Sequence, residues 1–174
     1  MRTIILATLI SGCATAAPAP GPATPAIPAA LAAPADQALA LEAHARGVQI
    51  YECKAGKDPG AFAWTLTGPE ADLFDREDKP IGKHYAGPTW EASDGSKVVG
   101  ELKEKDPGPD ANAIPWLLLT AKSATGAGVL GQTTSVQRLF TVGGKAPADG
   151  CSADKAGAVV RVDYQATYRF FRPR

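Results

Sequence analysis

The sequence predicts an all-β domain, an antiparallel sandwich or barrel-like fold with one short helix at its N-terminal edge. Three observations predict it. From Gly47 to the C-terminus, apolar residues recur with a period of two rather than 3.6. Turn-forming stretches such as GKDPG, TGPE, REDKPIG, SDGS, KDPGPD and VGGKAPADG separate these runs. No helical pattern stands between the runs, so parallel βαβ units have no place.

The first twelve residues read as an export signal. Arg2 is a minimal positive head, and TIILATLI, residues 3–10, is a short apolar stretch too brief to span a bilayer. Ile10-Ser11-Gly12-Cys13 resembles the lipobox of bacterial lipoproteins, in which the cysteine is acylated and becomes the mature N-terminus. Two or three acyl chains, at about 0.8 kcal/mol per buried methylene, hold a protein firmly on a membrane. The reading therefore places the domain on an outer membrane, facing the periplasm or the cell surface. Without lipidation, the signal would leave a soluble periplasmic or secreted protein.

Three cysteines make an odd set, and lipidation of Cys13 leaves Cys53 and Cys151 as a pair. In an oxidising compartment a disulfide is favoured over two buried free thiols. Closing a loop of roughly 100 residues contributes about 4–5 kcal/mol in the chain-entropy account.

Residues 13–36 follow as a lipidated end and a tether composed almost wholly of alanine and proline, which suits a semi-rigid spacer. The domain is then expected over residues 37–172. Asp36–Gly47 predicts the short helix, with Asp36 as N-cap and Gly47 as terminator. Strands are predicted at VQIYEC, FAWTLT, ADLFD, KVVGEL, IPWLLLTA and TSVQRLFTV. The run IPWLLLTA has the continuous apolarity of a strand buried on both faces, with Pro115 at an edge or bulge. The final run, VVRVDYQATYRFF, is the clearest. Val160, Val162, Tyr164, Ala166, Tyr168 and Phe170 share one face, and Arg161, Asp163, Gln165, Thr167 and Arg169 share the other.

Composition narrows function by exclusion. Lys+Arg and Asp+Glu are both 18, so nothing suggests a polyanion partner, and nucleic acid is not expected. The glycines of TGAGVLG (Gly126, Gly128, Gly131) lack dinucleotide spacing, and no cofactor is expected. The only histidines, His44 and His84, have no metal-ligand spacing, and no metal is expected. Asp75, Glu77 and Asp78 read as a charged turn rather than a calcium loop.

One stretch concentrates polar and aromatic groups: KHYAGPTWEASDGS, residues 83–96. It has two readings. In the catalytic one, His84 acts as base with Glu91 or Asp94 in a hydrolase or lyase of envelope glycan, while Trp90 and Tyr85 offer stacking surfaces for a ligand. In the plainer one, AGPTW is a tight turn, Trp90 is core, SDGS is a hairpin turn and Glu91 faces solvent. The plainer reading leaves an anchored β-domain that binds an unknown ligand or envelope component, or serves a structural role.

Taken together, GVQIYEC, HYAGPTWEASDGS, IPWLLL and VQRLFTVGGKAPADGC resemble, in that order, the domain-of-unknown-function 3455 family of exported proteins. The resemblance runs over roughly residues 47–171. It implies export and one compact domain holding both Cys53 and Cys151, and it carries over no catalytic residue.

Overall fold

The computed structural model describes residues 24–174; Cys13 and the expected signal lie outside the described residues. Eight strands form: β1 (Gln37–Ala55), β2 (Phe62–Phe74), β3 (Pro80–Tyr85), β4 (Thr89–Ala92), β5 (Lys97–Asp106), β6 (Trp116–Thr125), β7 (Ser135–Gly143) and β8 (Val159–Pro173). Each pairs antiparallel with the next, and β8 returns to pair with β1. The sheet is thus a closed barrel rather than a sandwich, and every strand has a neighbour on each side.

The predicted helix at Asp36–Gly47 is a strand instead. The residues of β1 alternate inward through Ala43, Ala45, Gln49, Tyr51 and Cys53, all buried. Both of its edges are paired, with β2 on one side and β8 on the other. Two ladders of backbone hydrogen bonds outweigh alanine's intrinsic helical preference, which amounts to a few tenths of a kcal/mol per residue. TGPE also differs from expectation. It lies inside β2, where a register shift opposite Ile50 and Tyr51 accommodates Gly68 and the donor-less Pro69.

The barrel interior is filled by matching small residues against large ones. Ala43 faces Tyr168 across the β1–β8 ladder, and Gly47 faces Tyr164. Gly47 has no room for more: a Cβ there would sit 2.1 Å from the carbonyl oxygen of Glu70 and 2.4 Å from Cα of Ala71. Trp90, Tyr168 and Phe170 fill the space these small residues leave, with Trp90 meeting each of the other two edge to face. At the end where β1 begins, Leu130 from the β6–β7 loop plugs the barrel, fully buried.

A second apolar cluster lies outside the barrel. Trp116, Leu118 and Leu139 point away from the interior, and Leu31 and Ile27 cover them. The N-terminal segment from Thr24 onward, expected as part of the spacer, is in this stretch a strap docked on β6 and β7. Leu31 is 0% exposed, and Gln137 Nε2 donates to its carbonyl oxygen at 2.6 Å. The strap explains why IPWLLLTA is apolar on both faces: Leu117 and Leu119 face inward, Trp116 and Leu118 face the strap. Phe140 adopts φ 51° at the irregularity in β7 and packs edge to face on Trp116.

The β7–β8 loop closes over the opposite end. It carries Cys151, which is disulfide-bonded to Cys53 on β1. Trp64 Nε1 on β2 donates to the carbonyl of Asp149 in the same loop, at 2.9 Å.

Candidate functional site

The strands differ in length, and that difference opens the barrel. β3 and β4 are 6 and 4 residues long, whereas their neighbours β2 and β5 have 13 and 10. Beside this short hairpin lies a cavity of about 520 Å³. One wall is Leu66, Thr67, Gly68 and Pro69 of β2; the other is Val99 to Leu102 of β5 with Leu117 and Leu119 of β6. Gly87 and Pro88 of the β3–β4 turn form its lip. Leu66 and Leu102 are 50% and 54% exposed, placing two large apolar side chains at the mouth. Gly100 keeps the space open: a Cβ there would meet Trp90 at 2.9 Å and Leu119 at 3.1 Å.

The inner end of the cavity is polar. Gln49, His84, Trp90, Arg138 and Tyr168 line it. Alternation along β7 places Arg138 on the inner face, directly across from Tyr168 on β8 and Leu117 on β6. Its Nε and Nη2 both donate to the carbonyl oxygen of Pro115, at 3.1 and 2.9 Å. Among the described residues no carboxylate pairs with it. The guanidinium is therefore a positive charge without a counter-charge. It lies close enough to bear on Tyr51, His84, Tyr164 and Tyr168.

Those four groups are all neutral. His84 Nδ1 lies 2.8 Å from the Thr89 carbonyl oxygen, which can only accept, so Nδ1 carries the proton. The ring stacks on Trp90 at 4.4 Å, nearly parallel. Burial drives the His84 pKa down to about 3, and Arg138 adds to that, while the Thr89 hydrogen bond opposes it. Burial pushes all three tyrosines upward. The Tyr51 hydroxyl donates to the Gly144 carbonyl at 2.6 Å, and the Tyr164 and Tyr168 hydroxyls meet at 3.4 Å.

Two donors in this layer have no partner among the described residues: Gln49 Nε2 and Trp90 Nε1. Both residues are 1% exposed. A buried donor left unpaired costs about 1–3 kcal/mol. The cavity therefore combines apolar walls with a cation that has no counter-charge among the described residues, while the two unsatisfied N–H groups belong to lining side chains but are themselves shut off from solvent. Apolar walls around a single charged group are what a small-molecule pocket commonly presents.

The residues singled out in the sequence fall in different places. His84 and Trp90 do meet, as a stacked buried pair, so Trp90 is core as well as cavity wall. Glu91 is adjacent to Trp90 on β4 and projects to the barrel's outer surface. There it accepts from the Tyr85 hydroxyl at 2.6 Å and pairs with Lys97 at 3.1 Å. These two contacts, Tyr85 first, hold its carboxyl below the ordinary range. Asp94 sits at the plugged end, where it accepts from Ser96 Oγ and the amides of Ser96 and Val129. It fastens the β4–β5 turn to the β6–β7 loop. His84, Glu91 and Asp94 are not brought together, and Tyr85 is not in the cavity. His44 is exposed on β1. Asp75 spends its carboxylate on the amides of Glu77 and Lys79, and Asp78 pairs with Arg46.

Gln49 and Arg138 do not stand out in the sequence. Val48 and Ile50 flank Gln49 and look like the inward pair, but the barrel turns Gln49 in and leaves them half-buried outside. For Arg138 a signal exists: it shares a face with Val136 in TSVQRLFTV, and an arginine on an apolar row has a reason to be there.

The profile of a family described as "Protein of unknown function (DUF3455)" matches residues 34–172. No curated protein and no solved structure matches the chain.

Proposed function

Because this chain belongs to the DUF3455 family, whose description assigns no activity, we propose a function from its cavity: an exported, lipid-anchored β-barrel that binds a small amphipathic molecule. The observation that carries the binding is the 520 Å³ opening beside β3 and β4, with apolar walls and Arg138, which has no counter-charge among the described residues, in its lining. Its size falls in the ordinary range of small-molecule sites, roughly 300–1,000 Å³.

Two features support the address. Cys13 follows an aliphatic residue and two small ones, the setting in which a thiol is acylated and processed. The Cys53–Cys151 bond belongs to an oxidising compartment. The anchor then holds the barrel at the envelope, where its ligand would be an apolar metabolite or a membrane component.

Cell fractionation and native mass spectrometry test the two halves separately. Changing Cys13 to Ser should move the full chain from membranes to the soluble fraction, and unchanged fractionation would overturn the anchor. The soluble variant, exposed to a total lipid extract of cells and repurified, should carry a bound small molecule. A bare protein would overturn the binding.

A further inference from the structure

The charge inside the cavity selects among greasy ligands. The titratable residues lining it are His84, Glu101, Lys122, Arg138 and Tyr168. His84 and Tyr168 are buried and uncharged. Glu101 and Lys122 are exposed on the strand surfaces at the rim and offset one another. Arg138 is left over, so the cavity carries a net charge of plus one. Two backbone carbonyls beside these side chains are already engaged: Pro115 accepts twice from Arg138, and Thr89 accepts from His84.

The donors point the same way. Arg138 lines the cavity, is only half-buried there, and offers N–H groups alone. A guanidinium is matched by a carboxylate, whose two oxygens accept several hydrogen bonds at once. The walls beyond it, Leu66, Leu102, Leu117 and Leu119, are hydrocarbon and lead to the open mouth.

We propose that the cavity binds an acid-headed amphiphile, an aliphatic monocarboxylate, with its carboxylate at Arg138 and its chain along the leucines toward the mouth. This rests on the binding reading above, and it adds the sign of the head group and the direction in which the ligand lies. An anion here gains more than the same group at the surface, because the surrounding wall is apolar and the guanidinium has no counter-charge among the described residues.

The test uses the full chain carrying Cys13→Ser, which leaves every described residue unchanged, and three probes of equal chain length. These are dodecanoate, dodecanol and dodecyltrimethylammonium, each titrated below its aggregation threshold by calorimetry. Dodecanoate should bind at least tenfold more tightly than dodecanol, and the cation should bind most weakly. In ¹⁵N-labelled protein the Arg138 Nε–H resonance should move on adding dodecanoate. Arg138→Gln should bring dodecanoate and dodecanol to within two- to threefold of each other while dodecanol binding persists. Where that variant does not fold, the probe series on the unsubstituted cavity decides. Binding of all three probes with equal affinity, or preference for the cation, overturns the anion assignment and leaves a cavity that binds. Binding of none of them overturns the assignment and the cavity's binding role together.

Discussion

Lowering the pH from 7.5 to 5.0 should cost this fold about 2 kcal/mol through one side chain, His84. In the native barrel its pKa is about 3, pushed down from 6.5 by complete burial against Trp90 and Tyr168. The unfolded chain takes up a proton below 6.5 and the folded one does not until about 3. Stability is therefore whole above pH 6.5 and drains away as pH falls through that interval. At pH 5.0, about 1.5 pH units below the ordinary histidine value, the unfolded state gains RT ln(1 + 10^1.5), about 2 kcal/mol. In a domain of this size that is roughly 4–8 °C in Tm. The carboxylates held low by partners, among them Glu42 through Arg169 and Asp94 through Ser96, add their own losses only as pH falls toward and below 4.5. Urea unfolding at a series of pH values from about 7.5 down to 5.0 measures the effect, with His84→Asn as the comparison, since its amide N–H can still reach the Thr89 carbonyl. The wild-type protein should lose stability more steeply than the variant between about pH 6.5 and 5.0. Parallel losses in the two proteins would refute the buried neutral imidazole.

Two further outcomes follow from the same structure. Reducing the Cys53–Cys151 bond, which spans 98 residues of sequence, should lower the unfolding free energy by about 4–5 kcal/mol, read as the shift between urea midpoints with and without reductant. An unchanged midpoint would mean the bond does not form in the protein. Leu31→Ala should destabilise by about 2–5 kcal/mol although Leu31 lies in an alanine- and proline-rich segment, because its side chain is fully buried on Trp116, Leu118 and Leu139. A change below about half a kcal/mol in thermal or urea unfolding would mean that the strap is not docked.

Much of this barrel is legible residue by residue. The inward row of β8 is already present in VVRVDYQATYRFF, where Tyr164, Ala166, Tyr168 and Phe170 are the buried members. The SDGS turn forms between β4 and β5, with Gly95 at φ 82° as such a turn requires. β3 is hidden because PIGKHY is interrupted by Pro80 and Gly82 and has only one fully buried residue, His84. The first half of β1 reads as helix because alanine and leucine are good helix formers, and nothing local reveals that two strands will flank them. The cavity is invisible for a similar reason. Gln49, His84, Trp90, Arg138 and Tyr168 come from five strands, and Arg138, which supplies the charge, has none of the others near it in sequence.

Local chemistry determined the strand period and most of the turns, which depend on short-range periodicity and on which residue types tolerate which backbone. The pairing of Cys53 with Cys151 came from counting cysteines once Cys13 is set aside, and the family from several sequence blocks in order; all of this is written along the chain. Closure into a ring was decided only when β8 met β1. It depends on long-range pairing, and no short window contains both partners. The strap and the cavity follow from closure. Once the barrel shuts, the outer apolar face of β6 and β7 needs a cover, and the short β3–β4 hairpin leaves a gap that its neighbours cannot fill.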